Sequence, residues 1–421
     1  MAALLLTSMV WSGHAQEKNE MDLSGEWAFQ TDVMDFRRGS LDVRYCHRLQ
    51  ESIVLPGITD DYKIGYKSPY RHLDRLTRVY EYMGPAWYQR EIEIPAAWKG
   101  KRIFLYFERT HWLSSVYVGK EEVSKIDYIS IPHNHELTQW LHPGKKELIT
   151  FCIDNRYQYD THKWDHAHSE FTQINWNGVL GEIKLVAVDP VYVDDMQVYP
   201  DIKNKSIKVK MTVRNCTEHT ASGKISFHVT GKDYRLQKEV PVTVTDSITY
   251  IEEEMFLGKD IHLWNEFHPN LYTLDCKLTS SVEGQSYAHE KSTTFGMREV
   301  EAGEDHIILN GEPIHLRGTV ENAVFPKTGY APVDDASWER VLRILKEYGM
   351  NHMRFHSWCP PEAAFNVADR MGFYLQVELP LWTLNVGEDK GTVDFLYTEA
   401  AHIMKEYGNH PSFCFWSLGN E

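Results

Sequence analysis

The feature that most constrains this chain is the alternation that sets in near residue 314. Residues 314–318 (IHLRG) read as a strand, and 335–348 (DASWERVLRILKEY) carry apolar side chains at helical spacing. A strand at 350–356 follows, then a helix at 361–371 with proline near its first turn, and a strand at 373–379. A helix at 392–407 and a strand at 412–418 complete the series. Strict alternation of this kind builds a parallel sheet, because each parallel crossover requires a connection of helix length. Eight such strands close a (β/α)8 barrel, and such barrels carry their functional groups at the carboxyl ends of the strands. Four strands precede Glu421, so the expectation is the N-terminal half of a barrel.

The strand ends yield a coherent set of side chains. The first strand leads to Glu321, the second to Arg354, His356 and Trp358, the third to Glu378 and Trp382, and the fourth to Trp416, Asn420 and Glu421. Carboxylates, a guanidinium, an imidazole and flat aromatic rings on one rim suit a sugar-processing pocket. Cleaving a glycosidic bond requires a protonated carboxyl beside the leaving oxygen and a second carboxylate opposite it. The donor is kept protonated near neutrality by apolar surroundings or a neighbouring charge, and Glu421 follows the apolar run of Phe415, Trp416 and Leu418. Each residue also has a plainer reading. Arg354 could only neutralise Glu321 or Glu378, Glu378 could only be its charge partner, His356 could be a satisfied buried histidine, and Trp382 and Trp416 could be core aromatics.

Upstream the texture is all-β. Residues 87–95 alternate cleanly, 101–118 hold two apolar runs, and 147–153 another, with turn residues between them. This reads as a β-sandwich of the jelly-roll kind over 22–190. Seven or so further strand-like runs over 191–297 suit an immunoglobulin-like sandwich, and the incomplete barrel occupies 298–421. With 13% aromatic residues, including 23 Tyr and 13 Trp, there is enough large apolar surface for several cores.

Other features narrow the class. The net charge is −16 with both signs interspersed, and no basic stripe marks a nucleic-acid partner. No segment approaches the ~20 apolar residues of a membrane span. Residues 1–21 resemble a leader, with an apolar stretch and small residues around a cut after Ala15, although no Lys or Arg precedes the stretch; this points to a secreted or periplasmic protein. The six cysteines are scattered without a CxxC pair, which reads as buried thiols. The cluster at 161–168 (THKWDHAH) has metal-ligating residue types, but no matching Cys or helical spacing. It reads better as a mobile aromatic loop that leans over the sugar pocket.

The whole layout from Asp22 onward resembles glycoside hydrolase family 2, the group of β-galactosidases, β-glucuronidases and β-mannosidases. The resemblance rests on Trp87-Tyr88-Gln89-Arg90, on Trp176-Asn177-Gly178-Val179-Leu180-Gly181-Glu182-Ile183, and on Leu263-Trp264 with Pro269-Asn270-Leu271-Tyr272. Its most specific part is Phe295-Gly296-Met297-Arg298, then Leu309-Asn310-Gly311-Glu312-Pro313-Ile314 and Leu316-Arg317-Gly318. It implies a retaining exo-β-glycosidase with Glu421 as acid/base, Asn420 and Arg354 as sugar contacts, and a nucleophilic Glu on a later strand that this sequence does not reach. The family often has Asn and His after the first strand's Arg-Gly. Here Arg317-Gly318 is followed by Thr319-Val320-Glu321-Asn322, which departs from that pattern. The family sometimes binds magnesium or sodium near the pocket, yet no complete ligand set is visible, and the sugar and any homo-oligomer stay open. A non-catalytic carbohydrate-binding protein is the alternative.

Overall fold

The computed structural model describes residues 19–32, 49, 51–119 and 121–420. The leader, Cys46 and Glu421 lie outside these residues.

The first region folds because its alternating strands bury one face each. Strands Gly25–Thr31, Glu51–Leu55, Pro85–Glu93, Leu113–Val118, Glu121–Ile126 and Lys146–Asp154 form one antiparallel sheet. A second antiparallel sheet contains Glu20–Asp22, Gly57–Ile58, Arg102–Thr110, His133–Glu136 and Gly178–Val188. Trp27, Phe29, Tyr88 and Phe151 from one sheet and Leu105, Phe107, Ile183 and Leu185 from the other share a single core. The Trp-Asn-Gly stretch locks this sandwich. Buried Asn177 donates to the carbonyls of Gly84 and Ile153 and accepts from the Tyr88 hydroxyl. Gly178 has φ +148°, and a Cβ there would strike the Gly57 carbonyl, so no larger residue fits.

The second region has a three-stranded sheet (Val191–Asp201, Ser206–Asn215, Ile248–Phe256) facing a four-stranded one (Tyr234–Val244, Ala221–Gly231, Tyr272–Val282, Gln285–Phe295), all antiparallel. Val209, Met211, Phe227 and Leu274 are among its shared core.

The last region is a parallel sheet of four strands, β1 (Gly318–Glu321), β2 (His352–Phe355), β3 (Tyr374–Glu378) and β4 (Phe413–Ser417), paired in that order. Helices α1 (Asp335–Glu347), α2 (Glu362–Met371) and α3 (Lys390–Tyr407) connect them. Asp334 and Asp389 cap α1 and α3 by accepting from the amides of Ser337 and Thr392, and Gly372 ends α2 in the left-handed region. Met353, Phe355, Leu375 and Val377 pack against the helices together with Trp338, Phe365 and Ile403.

One strand is displaced from its expected position. Residues 312–314 pair backward in a small antiparallel sheet with Ile307–Leu309, and β1 begins only at Gly318. Between them Asn351 meets the backbone with both its own backbone amide, which donates to the Arg317 carbonyl at 3.0 Å, and its side chain. The side chain donates to the His315 carbonyl and accepts from the Arg317 amide.

Several residues fix the parallel sheet against the second sandwich. Arg298 donates to the carbonyls of Pro411 and Phe413 at 2.6 and 2.7 Å, which pins the start of β4. Fully buried Trp264 donates to the Asp369 carbonyl near the end of α2. Arg298, from the most family-specific stretch, and Trp264 are therefore joints between regions. Of the described cysteines, Cys152, Cys276 and Cys359 are buried, whereas Cys216 is exposed, contrary to expectation. Among the described residues no helix is long and apolar enough to cross a membrane.

Candidate active site

Parallel register decides which side chains share a face. Arg354 aligns with Gln376, and Glu378 aligns with Ser417. These residues point away from the helix layer, while Met353, Leu375 and Val377 point into it. Arg354 donates from Nε to Glu378 Oε1 at 2.5 Å and from Nη2 to Asn420 Oδ1 at 3.0 Å. One guanidinium thus ties the end of β3 to the tail of β4. The Glu378 side chain has no exposed surface, and its Oε2 accepts from the Ser357 amide at 2.7 Å. A buried carboxylate is tolerated only when its oxygens are met in this way.

The tail of β4 is held by backbone. The Asn420 amide donates to the Leu381 carbonyl at 2.9 Å. Gly419 has φ +135°, and a Cβ there would lie 2.7 Å from that carbonyl, so the Gly-Asn turn needs its glycine. The acid/base expectation falls on Glu421, outside the described residues, directly after this anchored Asn420.

His356 and Trp382 extend the cluster. Their rings meet edge to face with centroids 4.8 Å apart. The 161–168 segment does lean over them, but it is well packed at several positions instead of projecting freely. Asp165, His166 and His168 are buried. His166 Nδ1 lies 2.8 Å from the His356 carbonyl, an acceptor, so that nitrogen carries the hydrogen. The His166 ring also meets those of His356 and Trp382. Burial, then neighbouring His356, pushes His166 down to about 4, which leaves it neutral near pH 7. The Trp382 amide donates to the Thr161 carbonyl at 3.1 Å. Among the described residues no group of three His, Cys, Asp or Glu side chains could hold a metal ion.

Three expected residues are not brought into the cluster, the first being Trp358, which is buried in the helix-side core with its indole donating to the Glu321 carbonyl at 3.1 Å. Trp416 aligns with Val377, packs against Phe413 with centroids 5.7 Å apart, and adds to the helix-side core. The strand register turns it away from Arg354. Glu321 aligns with Phe355, and its carboxylate accepts from the amides of Ala323 and Val324 at 2.8 and 3.2 Å, capping its own loop. Burial raises Glu321 to about 7 against those amides. Ser357 was not foreseen; its amide holds Glu378, and its hydroxyl accepts from the His166 amide at 3.2 Å. Its only signal in the sequence is its place between His356 and Trp358.

Sandwiches leading into a parallel β/α sheet, with Arg, Glu, Asn, His and Trp at the strand ends, define a class of carbohydrate-active proteins. Models of two parts of one family match here. "Glycosyl hydrolases family 2" matches residues 191–298, and "Glycosyl hydrolases family 2, TIM barrel domain" matches 300–421. The chain belongs to glycosyl hydrolases family 2.

A β-galactosidase of Thermoanaerobacter pseudethanolicus is 23% identical over 80% of this chain and 45% of its own length. A β-glucuronidase of Sus scrofa is 22% identical over 100% of this chain and 66% of its own. The chain thus spans roughly half to two thirds of the curated relatives it matches. Bacteroides uniformis β-glucuronidase 2 shares the fold, with a TM-score of 0.77 at 19% identity, over 96% of this chain and 47% of that one. A β-glucuronidase from Ruminococcus gnavus does so with a TM-score of 0.74 at 20% identity.

Proposed function

We propose that the protein is a retaining exo-β-glycosidase that removes terminal sugars from oligo- or polysaccharides, with Glu421 as general acid/base. The observation that carries this is the Arg354 bridge from Glu378 to Asn420, which anchors the residue before Glu421 at the strand-end cluster. In this reading the regions are a sugar-binding jelly roll, an immunoglobulin-like sandwich and the first half of a (β/α)8 barrel. Neither Glu378, buried and committed to Arg354 and Ser357, nor Glu321, capping its own loop, is free to attack a sugar. As the family resemblance implies, the nucleophile would be a second Glu beyond Glu421, placed about 5–5.5 Å from it as retention requires.

The cluster supports a division of labour. Glu421 would give its proton to the leaving oxygen and then activate water by taking one back. Asn420, with its carbonyl oxygen held by Arg354, would present its amide hydrogens to a ring hydroxyl. Trp382 and His356 would wall the sugar ring. Terminal β-glucuronides are the first substrates to test, since the Sus scrofa, Bacteroides uniformis and Ruminococcus gnavus relatives are β-glucuronidases, with β-galactosides next. The leader reading would put the enzyme outside the cytoplasm, where polysaccharide is met.

The test is hydrolysis of nitrophenyl β-glycosides by wild type and Glu421→Gln in a protein that carries the continuing barrel. The variant should lose turnover of poor leaving groups and regain it on activated ones with azide. Wild-type turnover of poor leaving groups by Glu421→Gln would exclude the assignment.

A further inference from the structure

A ladder of rings continues outward from the strand-end cluster into the first sandwich. Trp382, already against His356, meets Trp164 edge to face at 5.7 Å. Trp164 stacks on Phe171 with centroids 5.3 Å apart and an interplanar angle of 12°. Trp164 is 42% exposed, unusual for an indole that already has two aromatic partners. The Arg75 guanidinium sits 4.8 Å over Phe171, and the Lys163 ammonium lies 5.9 Å from the Trp164 ring. In a chain of net charge −16 this is a locally cationic place. The nearby acid, Glu170, lies 3.7 Å from Arg78 and is partly offset by it.

We propose that Trp164, backed by Phe171 and neighboured by Lys163 and Arg75, forms a subsite on the leaving-group side that stacks an acidic sugar ring of an oligosaccharide. This rests on the reading of the strand-end cluster as the cleavage site. With Phe171 stacked behind it, the exposed Trp164 ring is held in place before binding, so little side-chain entropy is lost when a sugar ring lies on it. The two cations next to the rings can meet a uronate carboxylate or a sulfate, with Arg75 able to do so through two N–H groups. A ring bound there would be one step out from a terminal sugar held between His356 and Trp382. Specificity for the sugar beyond the cleaved bond would therefore come from the first sandwich.

Calorimetric titration of the 421-residue chain with a uronate-containing hexasaccharide, and with a neutral hexasaccharide of equal length, tests this. Trp164→Ala should weaken the acidic ligand at least tenfold, Trp164→Phe less than threefold, and Lys163→Glu should weaken the acidic ligand alone. Equal affinity of wild type and Trp164→Ala, or no binding by wild type, would overturn the subsite. Unchanged acidic binding by Lys163→Glu would overturn the acidic assignment. Hydrolysis assays on a protein that carries the continuing barrel, run beside these titrations, separate the two readings. Loss of affinity in Trp164→Ala without any glycoside cleavage would sink only the cleavage site, and cleavage with unchanged affinity would sink only the platform.

Discussion

Arg354 and Glu378 form the tightest contact of the strand-end cluster, Nε to Oε1 at 2.5 Å, between a partly exposed guanidinium and a carboxylate with no exposed surface. The asymmetry matters. Removing the arginine leaves a buried charge with, among the described residues, only the Ser357 amide and a weak contact from Gln376. Arg354→Ala is therefore expected to destabilise the fold by about 3 kcal/mol, the low end for a broken buried pair because Arg354 itself reaches solvent. Urea denaturation measures this; a loss below about 1 kcal/mol would mean that Glu378 does not depend on Arg354.

Asn420 gains its orientation from the same guanidinium. Asn420→Ala removes the Arg354 acceptor and, in the proposed reading, the amide that would meet substrate. A fall of about a hundredfold in kcat/KM is expected on a nitrophenyl glycoside, as for loss of one preorganised polar contact. Thermal unfolding should hardly move. A stable variant with full activity would remove Asn420 from the site.

Asn177 tests the first sandwich. Its side chain makes three buried hydrogen bonds, to Gly84, Ile153 and Tyr88. Asn177→Ala strands a carbonyl pair and a hydroxyl, so a loss of about 3 kcal/mol is expected at about 1 kcal/mol per bond. A midpoint shift too small for one bond would show that water replaces the amide.

The legible parts of this molecule were those set by period. Helices α1, α2 and α3 and strands β2 to β4 lie within a residue or two of their expected places, because apolar spacing and the Asp caps agree there. β1 was misplaced because Asn351, a long-range partner invisible to local patterning, satisfies the backbone at 315–317. At the site, residue type could suggest Arg354 with Glu378 but could not choose faces. The bulge between Leu375 and Gln376 in the β3–β4 pairing sets which β4 side chains share a face with Glu378, and Trp416 is not one of them. Ser357 and His166 act through contacts between segments 190 residues apart, which no window of sequence reveals.

Glu399 gives the pH test. It lies on α3, is fully buried, and accepts from the amides of Ile129 and Ser130 at 3.3 and 2.7 Å, clasping the first sandwich. Its other oxygen has no partner among the described residues. Burial raises it to about 7 in spite of those amides and the nearby Arg109. A carboxyl raised on folding binds its proton more tightly in the native state, so stability falls as pH rises from the unfolded value near ~4.3 toward 7. The full shift corresponds to about 4 kcal/mol at about 1.4 kcal/mol per pH unit, of which about 3 kcal/mol falls between pH 5 and pH 8. Buried His111 and His133, pushed down to about 3 and about 4, slope the other way below pH 6.5, so the wild-type profile alone would mix the two. Glu399→Gln keeps an acceptor for both amides and removes the titration. Relative to wild type, its unfolding free energy should improve by about 3 kcal/mol between pH 5 and pH 8. The contributions of His111, His133 and Glu321 cancel in that difference. Equal differences at the two pH values would show that Glu399 is already ionised in the folded protein at pH 5.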